Sequence, residues 1–514
     1  MFSLSSYFSV QYLVLLLPAT VGLYAVLPQK PRRVVLLLAS YLFFWAISGK
    51  LIAYLLFSTL SVHHIGLWLE GIQAERDRCL TAAPKEERKA VRGRFQRQLT
   101  GIVAFGVVLH LGLLLLVKYT PFFATNLNHL FQLLGLSLTV NIPSFAMPIG
   151  ISFYTLQAVS YCFDVYRGKI PADRNLFRLA LFMSFFPQIM EGPICRYGDT
   201  AHQLWAVPPI RWENFLFGVQ RILFGLMKKV VVADRLNLFI RQVFSGYAEY
   251  DGFVIAVAVV CYTIQLYMDF SGCCDIALGA ARILGYDLIE NFQSPFEART
   301  FNDFWRRWHI SMTSWFRDYV YFSLGGSRCA PWRHYLNIVI VFVCSGLWHG
   351  ADWRYLAWGL FTGLLAAFGV MTARARQRIN RYNPLYRMGW FKVFWQCLFT
   401  NALFCLTLVF FASAIYNTDP FAVYGSLLQG WDGLAGSWAQ VSNLIYSSGI
   451  DGRLPVVLLF GCFVVFAAEH KGRSVARWIR QQVWPLRWTL YYGMAAAILF
   501  FAAFGQSAFI YQQY

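Results

Sequence analysis

Few side chains in this sequence could do chemistry in an apolar setting, and two histidines stand out. His349 lies in C-S-G-L-W-H-G-A-D-W (344–353), directly after the apolar run L-N-I-V-I-V-F-V. An ionisable group is expensive to hold in such a segment and marks a functional site by default. Imidazole is also the side chain best able to exchange a proton near neutral pH. Gly346 and Gly350 flank it and remove bulk, which suits close approach of a ligand to backbone. A core histidine bonded to a carbonyl is one competing reading. A metal ligand is another, weakened because no H-E-x-x-H accompanies the residue.

The second, His309, sits in T-F-N-D-F-W-R-R-W-H-I-S-M-T-S-W-F-R-D-Y-V-Y-F (300–322). Thr300 with Asp303 three residues on predicts a helix start. Phe301, Phe304, Trp308, Met312, Trp315, Tyr319 and Phe322 recur at three and four and predict one continuous amphipathic helix. Asp303 precedes Arg307 by four, the favourable order for an ion pair. Alone, this reads as an interfacial helix with arginines on headgroups. His309 shares a seam with Trp305, Met312 and Phe316, so it can point inward, and its pairing with His349 is what raises a catalytic reading.

The elements that must carry these residues are membrane helices. Of 514 residues, 58% are hydrophobic and 13% are Asp, Glu, Lys or Arg, about half the charged share of a soluble domain. Thirteen apolar runs between about 8 and 506 are long enough to span or nearly so; several fall short of the ~20 residues that a crossing needs. The first is read as a retained helix with its N-terminus outside, because basic residues follow it rather than precede it. Basic segments at 30–33, 70–98, 167–178, 228–235, 299–333, 372–392 and 471–480 are assigned to the cytoplasmic side, and the Lys- and Arg-free connection 417–452 to the outside. The run 335–348 then predicts a short helix carrying the chain up from inside and ending at Trp348-His349-Gly350. The net charge of +19 is spread over these short connections, which argues against nucleic acid. Eleven cysteines without a C-x-x-C pair point to buried small hydrophobes rather than a disulfide framework or zinc site.

Other chemistries lack their signatures: there is no G-x-S-x-G elbow and no G-x-x-x-x-G-K-[ST] loop. Asp269 and Asp275 in Q-L-Y-M-D-F-S-G-C-C-D are read as fold-locking partners of an arginine. S-F-F-P-Q-I-M-E-G-P-I-C-R-Y (184–197), with Glu191, breaks a helix at Pro187 and Pro193; broken helices often line cavities, and a purely structural kink is the equal alternative.

The ordered set M-P-I-G-I-S-F-Y-T-L-Q, F-F-P-Q-I-M-E-G-P, Y-M-D-F-S-G, E-N-F-Q-S-P-F, F-W-R-R-W-H-I-S-M-T-S-W-F-R-D-Y and G-L-W-H-G-A-D-W, within 145–372, resembles the membrane-bound O-acyltransferase family. The match is to its bacterial branch of alginate O-acetyltransferases and teichoic-acid D-alanyltransferases. Length and the ending G-Q-S-A-F-I-Y-Q-Q-Y resemble the alginate type; Cys273-Cys274 departs from the Tyr-Ser common in the branch. The resemblance implies an all-α polytopic fold, 1–514 as one integral membrane domain, with a ring of about 11 transmembrane helices plus half-membrane and interfacial helices around a central funnel or tunnel. It implies His349 and His309 as catalytic residues. Trp305, Arg306, Trp308, Arg317, Asp318, Asn291 and Trp348 are the candidate substrate contacts. No resident metal or cofactor is expected. The donor would be a cytoplasmic acyl thioester, acetyl-CoA or an acyl-phosphopantetheine carrier protein. The acceptor would be a hydroxyl of a surface polysaccharide, reached directly or through an external SGNH-type or other acetyltransferase partner, at the bacterial inner membrane. D-alanyl transfer towards teichoic acid is one alternative. A proton-coupled glycan or lipid-carrier transporter using Asp269, Glu191 and His349 is another.

Overall fold

The computed structural model describes residues 6–143, 145–382, 384–431, 433–447, 454–470 and 475–502. The tail that resembles alginate-type acetyltransferases, and Asp432 and Asp451 of the external connection, lie outside the described residues. Every extended regular element among the described residues is helical, and the one β feature is an isolated bridge between Phe292 and Trp308. Among the described residues five helical stretches are long and apolar enough to cross a membrane: Gln29–Ala82, Arg88–Leu133, Gly252–Ile283, Trp353–Met371 and Gly389–Tyr416. The chain is a multi-pass membrane protein, and it folds as two compact units, Met1–Leu216 with Ala280–Ile289, and Phe217–Gly279 with Glu290–Tyr514.

The first unit holds α1 (Leu17–Val26), α2 (Gln29–Ser48), α3 (Ile52–Ala82), α4 (Arg88–Leu133), α5 (Ile151–Tyr166), α6 (Leu176–Ser184) and α7 (Tyr197–Ala206). The proline-broken segment is here. α6 stops at Ser184, and residues 185–195 are irregular yet wholly buried. Irregular backbone at that depth needs partners from the protein, and it has them. The Tyr7 hydroxyl donates to Phe186 O at 3.0 Å and accepts from Met190 N at 3.1 Å, while Ser40 Oγ accepts from Phe186 N at 3.1 Å.

The second unit is built around α8 (Trp212–Leu226), α9 (Asp234–Ser245) and α10 (Gly252–Ile283). A π-helical turn, Met227–Ala233, joins α8 to α9 and turns two lysines inward. Residues 228–235 are therefore not a solvated basic loop. Lys228 Nζ lies 3.0 Å from Asp275 and 2.5 Å from Glu469, and Lys229 Nζ 2.8 Å from Asp234 and 2.7 Å from Asp269, all with buried or nearly buried side chains. Arg221 adds bonds to Asp275 at 2.8 Å and Glu290 at 2.5 Å. Asp275 does pair with an arginine as expected; Asp269 pairs with a lysine instead. Charges removed from the sidedness count are thus spent inside the protein, where each is neutralised by a partner because an unpaired buried ion would be far more costly.

α11 (Phe301–Arg307), α12 (Ile310–Phe316), α13 (Pro331–His349) and α14 (Trp353–Met371) follow, then α15 (Ala373–Tyr382) and α16 (Gly389–Tyr416). α13 is longer than its apolar run implied. It begins at Pro331, where the fixed φ suits a first helical turn, and its 19 residues rise about 28 Å. α13 and α14 pack closely through small residues: a Cβ on Gly346 would sit 2.3 Å from Tyr355 O, and one on Gly359 2.5 Å from Phe342 O. Gly346→Ala is expected to destabilise the protein by about 1–3 kcal/mol, read as a lowered melting temperature in detergent.

Candidate active site

The helix start at Thr300 is as the spacing predicts: its hydroxyl accepts from Asp303 N at 3.1 Å, and Arg307 pairs with Asp303 at 3.1 Å. The single amphipathic helix expected beyond it is interrupted. α11 ends at Arg307, Trp308 is extended, and His309 takes φ 47 and ψ 53, the left-handed region. The cause lies outside the segment. Residues 291–293 run alongside and form the isolated bridge: Gln293 N donates to Arg307 O at 3.0 Å, Ile310 N to Asn291 O at 3.0 Å, and Ser311 N to Asn291 Oδ1 at 3.1 Å. Those bonds replace helical ones and turn the chain by one left-handed residue, a conformation costing about 1–2 kcal/mol for a side chain other than Gly.

The turn drives the His309 ring into the interior. It is fully buried, its centroid 4.6 Å from Phe270 and 6.1 Å from Trp348, both edge-on. Neither ring nitrogen has a hydrogen-bond partner among the described residues. Buried polar atoms are nearly always paired, so two orphan nitrogens on one imidazole mark a place for a further ligand or water.

His349 is the last residue of α13 and 4% exposed. Its ring is boxed by Trp348 at 5.0 Å, Trp358 at 5.3 Å and Phe411 at 5.1 Å. Trp348 thus touches both histidines. The turn that follows is shaped by Gly350, where a Cβ would lie 2.2 Å from the Tyr355 ring, and by Asp352, whose carboxylate accepts from Arg354 N at 2.7 Å and caps α14. Gly346 and Gly350 are required by close packing against α14; the ligand-approach reading of them is unnecessary.

The other sequence candidates fall into two groups. Trp308 and Asn291 are interior: the Trp308 ring stacks on Phe304 at 5.6 Å, and Asn291 also donates to Cys274 Sγ at 3.4 Å. Trp305, Arg306 and Arg317 line a pocket of about 580 Å³ with Asn302, Ile310 and His334, and no carboxylate is in its wall. Asp318 pairs with Arg317 at 2.9 Å at its edge. Trp305 leads inward: its ring is 5.9 Å from Trp358, which touches His349. The indole N–H groups of Trp305 and Trp358 are buried without acceptors among the described residues. Trp358 and Phe411 were missed from sequence; in an apolar span an aromatic carries no signal until its neighbours are known. Among the described residues no group of His, Cys, Asp and Glu is arranged to hold a metal.

Comparison with known proteins covers the segment that carries both histidines. Residues 169–410, which include both histidines, match the model of the MBOAT, membrane-bound O-acyltransferase family. A "Probable alginate O-acetylase AlgI" of Pseudomonas aeruginosa is 36% identical over 383 residues, 73% of this chain and 67% of that protein. The chain belongs to the membrane-bound O-acyltransferase family. A second "Probable alginate O-acetylase AlgI", from Azotobacter vinelandii, is 37% identical to this acyltransferase over 356 residues, 68% of the chain and 66% of the relative. The alignments thus span about two thirds of these relatives' length. A "Teichoic acid D-alanyltransferase" of Bacillus subtilis is more distant, 28% identical over 42% of the chain and 57% of that protein. The expected order within the branch, alginate type before D-alanyl type, is the order found.

Proposed function

We propose that this acyltransferase moves an acetyl group from a cytoplasmic thioester to a hydroxyl of an exported polysaccharide, directly or through an external partner protein, at the bacterial inner membrane. The observation that carries the reading is the pair of buried histidines flanking Trp348, one of them with both nitrogens open, reached through Trp305 and Trp358 from a pocket walled by two arginines. Acetyl is favoured over D-alanyl by the higher identity to proteins named alginate O-acetylase.

In the proposed reaction His349 accepts the proton of the acceptor hydroxyl as its oxygen attacks the thioester carbonyl. A C–O bond forms, the C–S bond breaks, and the proton passes to the departing thiolate, leaving a free thiol. Positioned proton transfer of this kind contributes about 10²- to 10⁴-fold. His309, as neutral imidazole, donates its N–H to the developing oxyanion or holds the donor beside it; a preorganised donor of this type is worth about 10²- to 10³-fold. Arg306 and Arg317 meet the phosphates of acetyl-CoA or phosphopantetheine, since guanidinium forks match phosphate oxygens.

His309→Asn tests the second histidine cleanly, because Asn tolerates the left-handed conformation. Transfer is expected to fall about 10²-fold with the fold retained. His309→Leu, which resists that conformation, should lose stability as well; both are followed by turnover and melting temperature. The reading as a whole is tested with the purified protein, labelled acetyl-CoA or acetylated carrier, and a soluble glycan. Ester on the glycan with equimolar free thiol is expected. Uptake of glycan into vesicles driven by a pH gradient, without thioester consumption, would instead establish a transporter.

A further inference from the structure

A second pocket of about 580 Å³ opens where α14 ends and α16 begins, lined by Arg299, Arg376, Phe368, Trp395, Phe399 and Leu403 among others. We propose that it holds an anionic phospholipid, the headgroup phosphate on Arg299 and Arg376 and the acyl chains against Phe368, Phe399 and Leu403. The proposal is independent of the acyl-transfer reading.

The two ends of the pocket differ in chemistry. Its charged lining consists of the two arginines, with no Asp or Glu. Both are exposed, and neither makes an ion pair with a carboxylate among the described residues. Arg376 belongs to α15, which also presents Arg374, Arg378 and Arg381, carries no acidic residue and buries none of its side chains. A short polybasic helix of this kind beside an apolar span is drawn to anionic lipid. From Trp395 to Leu403 the wall descends about 12 Å along α16. Three aromatic members of the lining face outward, Phe368 57%, Trp395 47% and Phe399 53% exposed, while Phe301 is buried. Trp395 near the start of an apolar helix, close to Lys392, fits the interfacial belt where indoles gather. A free phosphate would satisfy the arginines and leave this apolar wall unused; a phospholipid satisfies both.

The test uses the full-length protein in detergent with phosphatidylglycerol and phosphatidylcholine, counting retained lipid by native mass spectrometry. Phosphatidylglycerol is expected to be retained by the wild type. In Arg299→Gln/Arg376→Gln it should bind about 30-fold more weakly, and in Arg376→Gln alone about fivefold, since each basic group near an anionic headgroup is worth about fivefold. Phosphatidylcholine binding, melting temperature and acyl transfer in phosphatidylcholine should be unchanged. Equal retention of phosphatidylglycerol by the double variant would overturn the proposal. So would its displacement by millimolar inorganic phosphate or acetyl-CoA, which would make the pocket a site for soluble anions. Loss of transfer in phosphatidylcholine would assign the pocket to the donor and overturn it equally.

Discussion

His349→Ala is expected to slow acetyl transfer by about 10²- to 10⁴-fold, the range lost with a positioned proton acceptor, while thioester donor binding is retained. The side chain fills an aromatic box of Trp348, Trp358 and Phe411, so truncation also opens a cavity and lowers stability. His349→Gln separates the two effects. It keeps most of the volume and a hydrogen-bonding end but cannot accept and return a proton at neutral pH. Its turnover should match that of His349→Ala while its melting temperature lies nearer the wild type. If both variants transferred acetyl at the wild-type rate, the general-base role would fall.

The largest stability effect is expected at the lysines of the π-helical turn. Lys229→Met leaves Asp234 and Asp269, which lie 2.8 and 2.7 Å from the ammonium, facing each other in a buried site. Breaking a buried pair from one side costs about 3–5 kcal/mol, because the remaining charge has lost its partner. Adding Asp234→Asn and Asp269→Asn removes the two like charges left facing each other, so the triple variant should regain much of the loss although it is further from the native sequence. Chemical or thermal unfolding in detergent reads the order directly. A Lys229→Met protein as stable as wild type would show that the ammonium is solvated.

Those lysines also show where sequence reasoning stops. Lys228 and Lys229 look like an ordinary basic connection because all their partners except Asp234 are remote in the chain, Asp269 and Asp275 some 40 to 50 residues on and Glu469 beyond 200. Nothing local separates a cytoplasmic lysine from one in a buried ion pair. The break at His309 was hidden for the same reason. The apolar spacing of 301–322 is continuous, and the bonds that interrupt it come from Asn291 and Gln293. Signals of short range were legible: Thr300 as an N-cap, the Asp303 and Arg307 pair, the buried irregular stretch at Pro187 and Pro193, and the two histidines as chemically out of place. The roles of Gly346 and Gly350 were not, since a glycine tells that space is needed and not what fills it. Here Tyr355 and its backbone fill it.

The central claim is that one chain passes an acetyl group from a thioester on one side of a bilayer to a hydroxyl on the other, with His349 taking the hydroxyl proton. Proteoliposomes with a single protein orientation, labelled acetyl donor outside and a membrane-impermeant glycan trapped inside, test it most directly. Labelled ester on the trapped glycan, matched by free thiol outside and reduced at least 10²-fold by His349→Gln, is the expected result. Thioester consumption with no labelled ester inside, on the trapped glycan or on an external acetyltransferase partner supplied with it, or equal transfer by His349→Gln, would contradict it.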